Sequence, residues 1–480
     1  MYSNSREGNP KCAGRVTGLL EAFHAIFRIP DLRKRMLFTL LMLAVYRFGS
    51  FVTTPGINLI RWQEFLQQQA GSIFGFFDLF SGGSVRRLSV FALGIMPYIT
   101  ASIILQLLTV IVPKVARIQK EGELGRRKIT QWTRYLTVGL AFAQAFSIAI
   151  GLQVVDVNVV INPGFGFILM TIISLTTGTC FIMWLGEQIT ERGIGNGMSL
   201  IIFTGIVVGL PAAIGNIYRN VFVFRVWNFF ELLAIVAMMI VVVAFIVLVE
   251  RAERRIPIYY AQRLAGRRVM GGQSTYMPLK INAGGVIPVI FASSILAFPQ
   301  TAANLPFVKD SQWLSSALFA IRHGEPLYVL LFVTGIFFFS FFYVSIIFNP
   351  TEAADNMRKY GGYIPGIRPG TATADYMNRI LTRITMVGAQ YLSILCLIPD
   401  FMTSGIHLHH LRLIGGYIDA HFPRFVLEGL GVQFSFGGTS LLIVVGVAMD
   451  TLNQIEAQLI MRHYEGFTPR AGRIRGRRAG

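Results

Sequence analysis

Residues 229–249 read FFELLAIVAMMIVVVAFIVLV, and Glu231 is the one charged side chain among them. A helix rises 1.5 Å per residue, so about 20 such residues cross the ~30 Å hydrocarbon core of a bilayer. The stretch is therefore read as a transmembrane helix. Working outward in both directions, nine more stretches of this kind lie near 36–54, 88–112, 135–153, 165–185, 195–213, 284–303, 326–348, 384–402 and 439–460. They explain a 480-residue chain that is 53% hydrophobic, only 14% charged, and has a mean hydropathy of +0.57. A soluble chain carries about 25% charge, and so much apolar surface could not be hidden in small water-soluble cores. The sequence predicts an all-α polytopic membrane protein with ten transmembrane helices.

Charge gives the orientation. The net charge is +19, from 43 Lys+Arg against 24 Asp+Glu. In a soluble protein that excess would suggest nucleic acid. Here the N-terminal segment, the loops after spans 2, 4, 6 and 8, and the C-terminal tail hold 33 of the 43 basic residues. Lys and Arg are retained in cytoplasmic loops, so both termini are expected in the cytoplasm. Residues 1–20 are polar, with Lys11 and Arg15 and no apolar core ahead of a small-residue cleavage site, so no cleavable signal peptide is expected.

Ten spans divide into two fives. The chain then reads as a cytoplasmic segment 1–35, an N-terminal half 36–213, an external connection 214–228, a C-terminal half 229–460 and a basic cytoplasmic tail 461–480. Because five is odd, the second half begins on the opposite side of the membrane. Two halves of one fold would then be inverted repeats around a central pore.

The chemistry-bearing motifs are sparse. No G-x-x-x-x-G-K-[ST] occurs, so energy from nucleotide hydrolysis must come from a partner. No H-E-x-x-H, G-x-S-x-G or C-x-x-C appears, and Cys12, Cys180 and Cys396 are too scattered for a thiolate site. No enzyme activity, cofactor or metal is expected. Asp450 in the last span is read as packing or an interfacial cap rather than a proton relay. His407, His409, His410 and His421 are read as incidental in a solvated loop.

Two features ask for more. Three segments are rich in Arg: ERAERR (250–255) with Arg263, Arg267 and Arg268; PGIRPG (365–370); and Arg470–Arg478. The loop 250–283 is longer than orientation requires and adds Tyr259 and Tyr260, which suits docking to RNA or to an acidic protein surface. The segment FGFFDLFSGGS (74–84) is apolar but too short to span, and Gly82–Gly83 gives it a flexible hinge. It is read as re-entrant. On these residues alone an inverted-repeat pore and a secondary transporter both stay open, although the lack of midplane ionisable groups counts against the transporter.

Longer stretches carry a resemblance. FSGGSVRRLSVFALGIMPYITASIILQLLTV (80–110), EGELGRRKITQWTRY (121–135), MWLGEQITERGIGNGMSLIIF (183–203), GVIPVIFASSIL (285–296), NPTEAADNMRKYGGYIPGIRPG (349–370) and GGTSLLIVVGVAMD (437–450) occur in that order. From about residue 30 to 465 the chain resembles the SecY family, the channel subunits of the bacterial general secretory translocon. The resemblance implies a ten-helix, clam-like channel for unfolded polypeptides in the bacterial cytoplasmic membrane. Residues 74–84 then fall in the plug, with Phe76, Phe77, Leu79, Phe80, Gly82 and Gly83. The aliphatic pore ring falls on Ile95, Ile99, Met198, Ile202, Ile290 and Ile443, and Met198, where Ile is the family pattern, is expected to soften the seal.

By the same resemblance the lateral gate opens between spans 2–3 and 7–8, on which Thr100, Gln106, Gln144, Asn282, Ser294 and Phe298 are placed. Arg254, Arg255, Arg263, Arg267, Arg268 and Arg368, in loops 250–283 and 349–383, are the expected docking residues for the SecA ATPase and the ribosome. Contact with rRNA would come only through the ribosome. The other implied partners are SecE-like and SecG-like membrane subunits, the signal-sequence-bearing polypeptide and anionic lipid. The stretch 403–436 is longer than the family pattern, and the first 30 residues match nothing in it.

Overall fold

The computed structural model describes residues 29–68, 81–155, 159–223, 229–260, 263–265, 268–270, 274–302, 321, 325–404 and 438–465. The N-terminal half contains α1 (Pro30–Gly49), α2 (Leu59–Gln68), α3 (Met96–Ile111), α4 (Pro113–Lys120), α5 (Glu123–Val155), α6 (Phe165–Arg192) and α7 (Gly197–Tyr218). A π-helical turn, Arg219–Val223, ends it. The C-terminal half contains α8 (Phe229–Arg251), β1 (Glu253–Tyr260), β2 (Arg263–Ala265), β3 (Arg268–Met270), β4 (Ser274–Lys280) and α9 (Ile287–Ala302). It continues through α10 (Pro326–Ile347), α11 (Pro350–Lys359), β5 (Gly362–Tyr363), α12 (Thr371–Ser404) and α13 (Gly438–Glu465).

Each of the ten apolar stretches holds one of these helices. Among the described residues five helices are long and apolar enough to cross a membrane unaided, and the bent pair α3–α4 makes a sixth. Proline sets several boundaries. Pro30 and Pro326 sit in the first turns of α1 and α10, where no backbone donor is needed. Pro113 ends α3, and α4 leaves at 106° to it. Asn349 caps α11 by accepting from the Thr351 N–H at 3.2 Å.

Two boundaries differ from the sequence reading. Span 2 is helical only from Met96; residues 81–95 are turns bound to the segment after α1, with a bridge between Thr53 and Ser89. The loop 250–283 is not helical either. Its β1 and β4 pair antiparallel from Glu253↔Lys280 to Tyr259↔Ser274, and β5 adds to β1 at Tyr259↔Tyr363. Ile256 and Ile258 alternate inward from β1 and pack with Leu279, Met357, Ile364 and Met377, which seats the sheet on α11 and α12. The spans are helical, and the described strands lie in this loop and at residues 362–363.

Within the N-terminal half α3 packs on α5, α5 on α6 and α6 on α7; within the C-terminal half α9 packs on α10 and α10 on α12. The halves meet along two lines, α9 against α3 and α5, and α13 against α7. One apolar cluster runs through both halves. Phe48 and Phe165 are 75% and 79% exposed on the outside, an arrangement suited to lipid and not to water.

Candidate functional site: a central constriction and its seam

All six expected ring residues fall in that one cluster. Ile95, Ile99, Ile202 and Ile443 are buried within it, and Met198 and Ile290 pack against it half-buried. Ile95, Ile99, Ile202 and Ile290 also line one cavity of about 10 Å³, with Ser81 and Ser293 sharing its wall. That is room for roughly one water molecule. Met198 turns partly away from it: Gly186 of α6 has no side chain, and the Met198 sulfur occupies that space.

The segment from Ser81 to Gly82 is tied down. Arg47 Nη1 at the end of α1 donates to the Gly82 carbonyl at 2.8 Å, and Tyr46 OH donates to the Ser81 carbonyl at 3.3 Å. On the other side, a Cβ on Gly82 would lie 3.0 Å from Gly205 Cα of α7. Gly82 has φ +66° and Gly83 φ +86°, so both occupy the left-handed region. The expected flexible hinge is thus a clamped pivot at Gly82. Phe76, Phe77, Leu79 and Phe80 lie outside the described residues.

At the seam, Ser294 of α9 donates through Oγ to the Met96 sulfur of α3 at 4.0 Å. Thr100 turns back to its own helix, donating to the Met96 carbonyl at 3.0 Å. Gln106 Oε1 is buried with no hydrogen-bond partner, a costly state for an amide oxygen. Gln144 is half-buried on α5, and Phe298 lies on α9 with its side chain outside the described set. Asn282 precedes α9, and its Nδ2 donates to Glu250 Oε1 at 2.7 Å and to the Gly285 carbonyl at 3.1 Å. Those bonds tie it to α8 and not to α3 or α5.

Comparison with known proteins follows the same outline. The SecY family model matches residues 89–452. The protein translocase subunit SecY of Escherichia coli K12 is 48% identical over 92% of this chain and 95% of its own. The corresponding subunit of Vibrio cholerae is 46% identical over 92% and 95%. The chain belongs to the SecY family. As a SecY-family member it is a subunit of a protein translocation channel, a multi-pass protein of the bacterial inner membrane, in a family that is not catalytic. A solved protein-conducting channel superposes with a TM-score of 0.58 at 17% identity, covering 90% of this chain and 94% of that one. Sec61 from a canine ribosome–channel complex does so at 0.56 and 17%, with the same coverage.

In this SecY-family chain the expected docking residues, Arg267 apart, fall on β1, on the β2–β3 pair and in the turn before α12. Arg254 and Arg255 are exposed on β1, and Arg255 pairs with Glu253 at 2.7 Å. Arg368 is exposed, its carbonyl held by Thr373 Oγ1 at 2.9 Å. Arg263 and Arg268 stand on the paired strands β2 and β3, and Arg267 lies outside the described residues. Strand β5 joins the two Arg-bearing loops into one sheet, where Tyr259 and Tyr363 lie 6.3 Å apart. Nothing in a Gly-Tyr pair announces a strand, so this union was invisible in the sequence.

Asp450 lies 3.9 Å from Lys280 with its side chain 70% exposed, which makes it half of a surface ion pair. The His cluster lies outside the described residues. Among the described residues no group of three or more His, Cys, Asp or Glu could hold a metal ion. Sequence reasoning gave no part to Arg47 or Tyr46 and read Glu250 only within ERAERR, because each hydrogen-bonds to a carbonyl or an amide far away in the chain.

Proposed function

We propose that the water-sized cavity between the two halves is the resting constriction of a protein-conducting pore. Unfolded polypeptides cross through it, and apolar segments leave sideways between α3–α5 and α9–α10. One observation carries this reading: Ile95, Ile99, Ile202 and Ile290, from the start of α3, from α7 and from α9, converge on that cavity. A small apolar constriction dewets and blocks ions at rest. Around a passing chain it offers only non-directional contacts, so no sequence is held too tightly to move on. β-Branched Ile is stiff at χ1 and keeps the gap narrow.

The seam is poised. Polar contacts between membrane helices are worth about 0.6–2 kcal/mol each, and Ser294–Met96 is the cross-seam hydrogen bond among those described. An apolar signal helix gains roughly 0.3–0.6 kcal/mol per Leu-type residue at its centre, enough to tip such a seam toward its open state. Ten spans in two inverted halves, both termini in the cytoplasm, and residues 74–84 as plug complete the architecture. SecE-like and SecG-like subunits, anionic lipid, and SecA or the ribosome on the Arg-bearing sheet are its partners.

A photo-reactive residue at Ile99 or Ile202 tests the path. With a secretory precursor stalled halfway in proteoliposomes by SecA and ATP, adducts are expected at both positions and not at lipid-facing Phe165. Intact precursor binding without adducts would remove the ring assignment, and solute-driven flux without SecA would favour a transporter. The docking face has its own test. Arg254→Glu with Arg368→Glu is expected to weaken SecA binding about tenfold or more at low salt and less at high salt, because exposed charges are screened. A loss independent of salt would point to damage of the sheet instead.

A further inference from the structure

Glu250, the last residue but one of α8, is a half-buried carboxylate at the base of the β1–β4 hairpin. Ala252 alone separates α8 from β1, and its carbonyl accepts from the Ile281 N–H at 3.0 Å. Asn282 follows, buried to 4% exposure, with Nδ2 shared between Glu250 Oε1 at 2.7 Å and the Gly285 carbonyl at 3.1 Å. Gly285 leads directly into α9, the helix that packs across the seam on α3 and α5. The hairpin, the end of α8 and the start of the seam helix are therefore joined at one amide group. A second link, Lys280–Asp450, spans 3.9 Å between exposed side chains and is screened by water, so it carries little. The Glu250–Asn282 bond is short, charge-assisted and largely removed from solvent, so it is the stiff connection.

We propose that the Glu250–Asn282 hydrogen bond is the joint through which a load on the β1–β4 hairpin reaches α9 and changes the seam. The inference rests on the reading of the hairpin as a docking face and of α9 as a gate helix. It assigns both side chains as positioning residues: neither touches the translocating chain, and neither belongs to the constriction. Asn282 fixes the entry of α9 relative to the hairpin, and Glu250 fixes Asn282 relative to α8. A displaced β4 then drags the first turn of α9 with it instead of bending at residues 281–286.

The test uses the full complex in proteoliposomes, with the native cysteines replaced and one cysteine introduced on α3 and one on α9, facing each other across the seam at positions other than Met96 and Ser294. The rate of joining these two thiols with a short bifunctional reagent reports how closed the seam is. The load is an empty ribosome, which brings no apolar segment of its own, and co-sedimentation reports its docking separately. In the parent, docking is expected to slow cross-linking roughly fivefold or more, the range of ordinary coupling between sites.

Glu250→Ala leaves Asn282 bonded to the Gly285 carbonyl, so the entry to α9 stays formed. In it docking persists and the slowing is expected to vanish. Glu250→Gln keeps an acceptor for Asn282 and is expected to restore the slowing. An equal slowing in Glu250→Ala overturns the joint, and so does its loss in Glu250→Gln. If the empty ribosome docks on the parent without slowing, the joint fails; if a signal-bearing nascent chain then crosses without slowing, the gate reading itself fails, independently of the joint.

Discussion

Replacing Ile99 and Ile202 together by Asn is expected to raise the resting ion permeability of proteoliposomes at least about tenfold, which needs only some 1.4 kcal/mol off the barrier. Both side chains line the 10 Å³ cavity, and both are buried, at 9% and 4% exposure. On the proposed reading, their apolar walls keep the gap dry at rest. An amide there costs roughly 2–7 kcal/mol to leave without a hydrogen-bond partner, so it holds water in place and supplies a hydrated path. Asn is smaller than Ile, so the change both wets and widens the gap; Ile99→Ala with Ile202→Ala, which widens without adding a polar group, is the control that separates the two. Valinomycin-independent potassium release or a light-scattering assay of osmotic collapse reads it out. The same vesicles should still move a secretory precursor. An unchanged permeability in protein that accumulates and translocates normally would show that the seal lies elsewhere, and the plug would be next.

The second large effect belongs to Gly82. Gly82→Ala forces a Cβ to within 3.0 Å of Gly205 Cα and puts an L-residue at φ +66°. The left-handed conformation alone costs about 1–2 kcal/mol, and α7 backbone cannot swing aside as a side chain end could. The penalty falls on the resting arrangement. A released pivot escapes it, and roughly ten- to hundredfold more of the channel should sit open, since each 1.4 kcal/mol is tenfold in an equilibrium. Transport of a precursor with a crippled signal segment measures this. Gly83→Ala is the control: it carries φ +86° with nothing within 4 Å of the added carbon, so it feels strain without contact. A larger effect at Gly83 than at Gly82 would remove the clamp on α7 from the account. Arg47→Gln should move transport in the same direction as Gly82→Ala, because a hydrogen bond from a charged donor is worth about 1.5–3 kcal/mol.

The seam teaches a different lesson. Removing Gln144 and Asn282 together looks, from their positions along the chain, like a test of lateral gating. The bonds of Asn282 to Glu250 and Gly285 make it a test of the hairpin base instead. Ser294, opposite Met96, and Gln106, with its unpartnered buried oxygen, are the polar residues whose surroundings suit a gate. Ser294→Leu should therefore alter signal selectivity more than Gln144→Leu does. A precursor competition assay with strong and weak signals decides between them, and equal effects would detach Ser294 from the gate.

By itself the sequence determined what depends on neighbours within a few turns of chain. Twenty apolar residues cross a bilayer whatever surrounds them, so the spans were legible to within a few residues, while the structure shows Pro30, Pro113 and Pro326 at helix ends. The family motifs, each a continuous run, placed the expected ring on Ile95, Ile99, Met198, Ile202, Ile290 and Ile443. Tertiary structure decided whatever needs two distant segments to meet. Only packing could bring Ile99 and Ile290 to one cavity, or turn Met198 toward Gly186. Only packing could set Gly82 between Arg47 and Gly205, which converts a flexible-looking Gly-Gly into a fixed point. Likewise, β5 joined the two Arg loops because the backbone of Gly362–Tyr363 found an open edge on β1, and hydrogen bonds between backbones leave no mark on side-chain composition. Asn282 left the seam for the same reason: its partner is fixed by where α8 ends and β4 returns, a matter of chain path and not of residue type.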